Sequence, residues 1–236
     1  MLVASLDLET TGLDYEKCQI IEVGVAVDDL APGKVLPLKD VPKFHCYVQR
    51  DTYVGSAFAL SMHSKIFLRM AKKEEPYRYL WPGEAASAMA AFLKPFCGAD
   101  DGKLTVVGKN FASFDLAFLR HEKPFLKEVV PMFRHRVIDV GTLFLDPGVD
   151  EKLPGTEECA RRADELAARA YKGTDSAGGL WGRWFDTPKL VEHNALDDAL
   201  QVLYIMRCWW SSRPRGIIPS VPSGNEFASL REGLHP

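Results

Sequence analysis

The chain has 236 residues, 47% hydrophobic and 26% charged, which is enough for one substantial core and too little for two ordinary large domains. A formal net charge of −3 and a pI near 6.1 exclude a global basic field able to hold long nucleic acid by counterion release alone. Five scattered cysteines without a Cys-x-x-Cys pair argue against a disulfide framework and a zinc site, and no apolar stretch approaches the roughly 20 residues of a membrane span, so a cytoplasmic protein with no membrane segment is expected.

Leu2 to Leu6 is a short apolar run that reads as a β-strand ending in Asp7-Leu8-Glu9-Thr10-Thr11-Gly12. Alternation of side chains along a strand puts Asp7 and Glu9 on one face, about 7 Å apart. Paired carboxylates of this kind suit a hard divalent cation such as Mg²⁺ or Mn²⁺, which takes a few protein oxygens and completes its shell with water and phosphate. The segments 19–27 and 44–49 are rich in β-branched and aromatic residues and extend the first strand into a meander. Glu22 reads as a partly solvated strand residue. Between Ser61 and Lys73 the spacing of Ile66, Phe67 and Met70 predicts a helix, with Arg69, Lys72 and Lys73 as its solvated face. The alanine-rich stretch 84–93 predicts another.

Residues 104–108 read as a buried strand, followed by a helix in which Phe114, Ala117 and Phe118 share a face, Ser113 is the N-cap and Asp115 lies in the first turn. A strand is expected at 136–140, with Asp139 as a structural or capping carboxylate, and a helix at 156–171. Trp181, Trp184 and Phe185 follow a Gly- and Ser-rich loop that begins at Lys172. Pro188 then opens a long helix through His193 and Asp198 to about Trp209. Prolines and glycines from Arg213 to Pro236 mark a tail, a poorly ordered segment or a docking peptide for a protein partner. The expected division is thus a domain over 1–212 and a tail over 213–236.

Asp7 with Glu9, Asp115, and Asp197 or Asp198 beside His193 form the inventory that metal-assisted hydrolysis of a phosphodiester requires. Helical spacing from His193 favours Asp197, since i+4 keeps a helix face and i+5 leaves it. Asp-Leu-Glu-Thr-Thr-Gly-Leu at 7–13, Ala-Ser-Phe-Asp-Leu-Ala-Phe-Leu at 112–119 and His-Asn-Ala-Leu-Asp-Asp at 193–198 together resemble, in order, the three motifs of the DEDD superfamily of 3′→5′ exonucleases. The histidine subclass, with proofreading exonuclease subunits, ribonuclease T and oligoribonuclease, is the branch they resemble. Lys109-Asn110-Phe111-Ala112 stands where that family commonly has His-Asn-Ala.

The resemblance implies an α/β, ribonuclease-H-like fold, a mixed five-stranded sheet flanked by helices. It implies two Mg²⁺ or Mn²⁺ ions, one held by Asp7, Glu9 and Asp198 and the other by Asp7 with Asp115, the latter through water, and it implies His193 as general base. The family's register selects Asp198 over Asp197. It further implies that Thr10, Thr11, Gly12 and Leu13 grip the 3′-terminal nucleotide of a single strand of DNA or RNA, which is cut to nucleoside 5′-monophosphates. With no broad basic surface, most binding is expected from the metal–phosphate contacts and this terminal pocket. The alternatives from other classes are a catalytically silent nucleic-acid-binding or scaffolding module and a proofreading subunit that works inside a polymerase complex.

Overall fold

The computed structural model describes residues 1–31, 36–98, 101–171 and 194–212. The aromatic residues at 181–185, the first turns of the helix expected from Pro188, His193 and the tail from Arg213 lie outside these residues.

Leu2–Thr10 (β1), Ile20–Asp29 (β2) and Lys43–Val48 (β3) form the antiparallel meander that the sequence predicts. Tyr79–Leu80 (β4) adds to β3 in parallel, and Thr105–Gly108 (β5) and Ile138–Asp139 (β6) extend the other side, giving the order β4-β3-β2-β1-β5-β6. Among the described residues the sheet is therefore mixed and six-stranded, one strand more than expected. The additional strand is β4, whose two residues are too short to carry any alternation. For the same reason the strand expected at 136–140 shrinks to two residues, and Asp139 caps a short helix, Val140–Leu143, by accepting from the Thr142 amide. The structural reading of Asp139 holds.

Period two sorts the middle of the sheet into two cores, and a smaller third cluster joins Ile21 and Tyr47 to Ile66 and Met70. Ala4, Leu6 and Leu8 of β1 pack with Val23, Val25 and Val27 of β2 against Pro82–Leu93 and the residues around Phe118 and Phe125. Val3 and Ala26 face the opposite way, onto Thr156–Tyr171 (α1) and Ala195–Ser211 (α2). Asp7 and Glu9, in phase with Val3, thus emerge on the α2 face. Glu22, Gly24 and Asp28 of β2 share that face with Ala26.

Two contacts seat α2 on this face. A Cβ on Gly24 would lie 2.2 Å from the Ala195 carbonyl carbon, so the start of α2 rests directly on the β2 backbone. Nearer its far end, Arg207 donates from Nε and Nη2 to the Asp28 carboxylate at 2.7 and 2.9 Å, a bidentate pair with both side chains nearly fully buried. A contact that excludes any side chain and a buried ion pair together fix how far the first turn of α2 reaches over β1.

The helix expected from Ser61 begins earlier and is broken, as Ala57–Met62 and Ser64–Lys72 (α3), with His63 at the joint. The helix after β5 starts at Asp115 and not at Ser113. The Ser113 hydroxyl bonds back to the Asn110 carbonyl and caps nothing ahead of it.

Candidate metal centre

Asp7 and Glu9 reach the end of β1 where its neighbour β5 has stopped: the β1–β5 pairing covers Val3 to Ser5, and the chain turns away after Gly108. The amide of Leu8, between the two acids, is consequently left for a side chain, and Asp115 Oδ1 accepts from it at 3.0 Å. Asp115 is the first residue of its helix and is 3% exposed. One hydrogen bond therefore docks the third acidic position against the first two.

Asp198 completes the group. Asn194 is the N-cap of α2, with extended backbone and a side-chain oxygen that accepts from the Leu196 and Asp197 amides, each at 3.1 Å. Carboxylate oxygens of Asp7, Glu9 and Asp198 lie within 4.8 Å of one another. Asp197 is not one of the three; burial raises its carboxyl above the ordinary range, with His45 acting in the opposite direction. Counting helical spacing from residue 193 fails because the helix begins only after Asn194.

Burial and mutual repulsion set the protonation of this cluster. Asp7 is held well above the ordinary carboxylate range, first by burial and then by Asp115, Glu9, Asp198 and Glu22. Glu9 is pushed up to about 8 by burial, Glu22, Asp198 and Asp115. Asp115 rises to about 7 through burial, against the downward pull of the amides it accepts from. Such a set is costly to charge alone and suited to a cation. The donors are all carboxylate oxygens, which match a hard divalent ion such as Mg²⁺, Mn²⁺ or Ca²⁺ better than zinc or copper.

Because a cation competes with these protons, affinity should climb with pH. Calorimetric titration with Mn²⁺ is expected to show binding roughly 10-fold tighter or more at about pH 8 than at about pH 6, with proton release that depends on buffer ionisation. Equal affinity at both values would mean that the ion does not displace protons from Glu9 or Asp115.

The turn after Glu9 is tied down by its own side chains. Thr10 Oγ1 donates to the Gly12 carbonyl at 2.8 Å, and Thr11 Oγ1 donates to the Val54 carbonyl at 2.5 Å while accepting from the Gln19 amide. Thr11 also bonds Ser56 through its carbonyl, and a Cβ on Gly55 would lie 2.1 Å from that oxygen. A Cβ on Gly12 would meet Cys18 Sγ at 2.7 Å, and its φ of 158° is one that residues with a side chain rarely adopt. The hydroxyls of Thr10 and Thr11 are thus committed to the turn, whereas Leu13 is 85% exposed at its tip.

Three residues at the centre escape a reading of the sequence alone. Glu22, read above as partly solvated, is fully buried, is the register partner of Glu9 and bears on its charge. His45 Nε2 lies 2.5 Å from Glu22 Oε1. His63, 3% exposed at the helix joint, sets Nε2 at 3.4 Å from Glu9 Oε2. The alternation Glu22-x-Gly24-x-Ala26-x-Asp28 was the available signal for the first. Nothing local marks the two histidines. No helix among the described residues is long and apolar enough to cross a membrane. No protein-family model matches the sequence, and no curated protein matches it.

Proposed function

We propose that this chain is a 3′→5′ exonuclease of the DEDD superfamily, histidine subclass, with a ribonuclease-H-like fold, that removes nucleoside 5′-monophosphates from single-stranded ends with Mg²⁺ or Mn²⁺. The observation that carries the reading is the meeting of Asp7, Glu9 and Asp198 within 4.8 Å from opposite ends of the sequence, with Asp115 bonded to the backbone between the first two. A protein with no use for a cation gains nothing from burying mutually repelling carboxylates.

In this reading Asp7, Glu9 and Asp198 would hold one ion, and Asp7 with Asp115 would hold a second. Divalent ions bound there would supply Lewis-acid polarisation of the scissile phosphate and a water acidic enough to ionise near neutral pH. His193, immediately before the Asn194 cap in sequence, takes the proton of the attacking water at a ring nitrogen. Thr10 and Thr11 shape the turn, and Leu13 packs against the terminal nucleotide.

The test uses single-stranded and duplex DNA and RNA labelled at the 5′ end, incubated with Mn²⁺, with products resolved by length. Stepwise shortening of single strands that EDTA abolishes is the expected result. Intact strands, or cuts at internal positions only, would overturn the reading, and binding without shortening would favour a silent binding module.

A further inference from the structure

Four residues in register carry the sheet from the acidic centre to its far edge: Glu9 on β1, Glu22 on β2, Tyr47 on β3 and Tyr79 on β4. Register partners share a face, so this row lies on the same side as the carboxylates. Tyr79 is three strand spacings, about 14 Å, from Glu9.

Two cations sit at the outer end of the row, and both rest on rings. Arg69 on α3 donates to the Tyr47 hydroxyl at 3.0 Å, with its guanidinium 5.0 Å from the centre of the Tyr77 ring. Lys73 bonds Gln49, and its ammonium lies 4.9 Å from the centre of the Tyr79 ring. No carboxylate of the described residues lies within 4.0 Å of either charge; Glu74 acts on Arg69 only from farther off. Of the other described arginines, Arg50, Arg134, Arg161, Arg162, Arg169 and Arg207 each pair with an acid, whereas Arg78, Arg120 and Arg136 have none within 4.0 Å. Lys73 also occupies a left-handed helix C-cap, φ 51°. That position favours Gly or Asn and is strained for a lysine. Cation–π seating orients a charge without neutralising it, and so leaves it able to take an anion. His45, 5.8 Å from Tyr77 and in contact with Glu22, links these rings to the centre.

We infer that Arg69 and Lys73 form a phosphate-binding rail for the part of a single strand that trails behind the terminal nucleotide. The inference rests on the exonuclease reading for what occupies the centre. It replaces the solvated face expected for these residues and revises the expectation that binding is confined to the terminal pocket. Affinity then grows with chain length over the first few nucleotides and stops growing where the strand passes the rail.

The experiment measures anisotropy of fluorescent single-stranded trinucleotides and decanucleotides in Ca²⁺, and shortening of the same strands in Mn²⁺. It compares the wild type, Arg69→Ala with Lys73→Ala, Lys73→Glu, and Arg78→Ala. Arg78 alternates with Tyr77 and Tyr79 and lies over the Phe44 ring on the other face, so it serves as a control for loss of a cation away from the row. Lys73→Glu leaves the Arg69–Tyr47 bond in place and separates loss of charge from loss of folding. The double variant is expected to weaken decanucleotide binding about 3- to 10-fold and to flatten its salt slope by about 1.4, or 0.7 per phosphate. Trinucleotide binding and the Arg78→Ala protein should be unchanged. Wild-type affinity independent of length, or equal losses for both strands in the double variant, would overturn the rail. Length-dependent binding abolished by the double variant, without shortening by the wild type, would keep the rail and overturn the exonuclease. Shortening that the double variant leaves untouched for both strands would do the reverse, and a wild type that neither binds nor shortens either strand would overturn both.

Discussion

Asp7→Asn is expected to abolish turnover while raising the melting temperature of the metal-free protein. Asp7 is the residue common to both proposed ion sites, so the amide leaves one neutral oxygen where a carboxylate would serve both, and a fall of roughly 10³-fold or more in rate should follow. The gain in stability comes from the same burial. Asp7, Glu9 and Asp115 have folded-state pKa values raised above their ordinary ones. Groups shifted in that direction contribute stability at low pH that is lost as pH rises through the folded value. The metal-free wild type should therefore lose stability between about pH 4.5, the ordinary glutamate value, and about 8, where Glu9 finally ionises. An amide at position 7 removes one buried charge and relieves its neighbours. The expected gain at about pH 8 is on the order of 2 kcal/mol, or about 4–8 °C in a chain of this size, and it should shrink toward acid. Thermal melts in EDTA across pH test this beside the oligonucleotide assay. A variant that turns over normally, or that melts lower than the wild type at alkaline pH, would contradict it.

The adjacent acids at the start of α2 should separate sharply. Asp198→Ala removes one of the three carboxylates that meet within 4.8 Å and is expected to cost roughly 10²–10³ in rate. Asp197→Ala removes a half-buried carboxylate beside His45 and should cost less than about 10-fold, since nothing in the cluster depends on it. His193→Ala should lose roughly 10²–10⁴, with wild-type activity rising as pH passes about 6–7, as a neutral imidazole base requires. Steady-state rates for the three variants on one labelled strand decide the matter. A severe Asp197 variant beside a mild Asp198 variant would mean that the first turn of α2 presents the other acid to the substrate.

The pair Asp7 and Glu9 was legible because period two needs only the strand itself, and the apolar run before them marks the strand. Asp115 was legible as a position but not as a contact. Its bond to the Leu8 amide depends on β5 ending early, which lies in the topology. Asp198 came from the family's register against the helical spacing, and the spacing misled because Asn194, a strong N-cap, starts the helix one residue after the histidine. Glu22 was misjudged for a different reason. Alternation tells which residues share a face but not whether that face is covered, and here α2 lies across it. β4 and the histidines at 45 and 63 had no local signature, being defined by pairing and packing among segments far apart in sequence.

The cluster is proposed to be a two-ion centre with Asp7 between the sites. Electron paramagnetic resonance at about pH 8, where the carboxylates release their protons most readily, counts the Mn²⁺ bound per chain. Two ions are expected in the wild type and at least one fewer in Asp7→Asn, with Asp197→Ala unchanged. No saturable binding in the wild type, or the same count in Asp7→Asn, would contradict it.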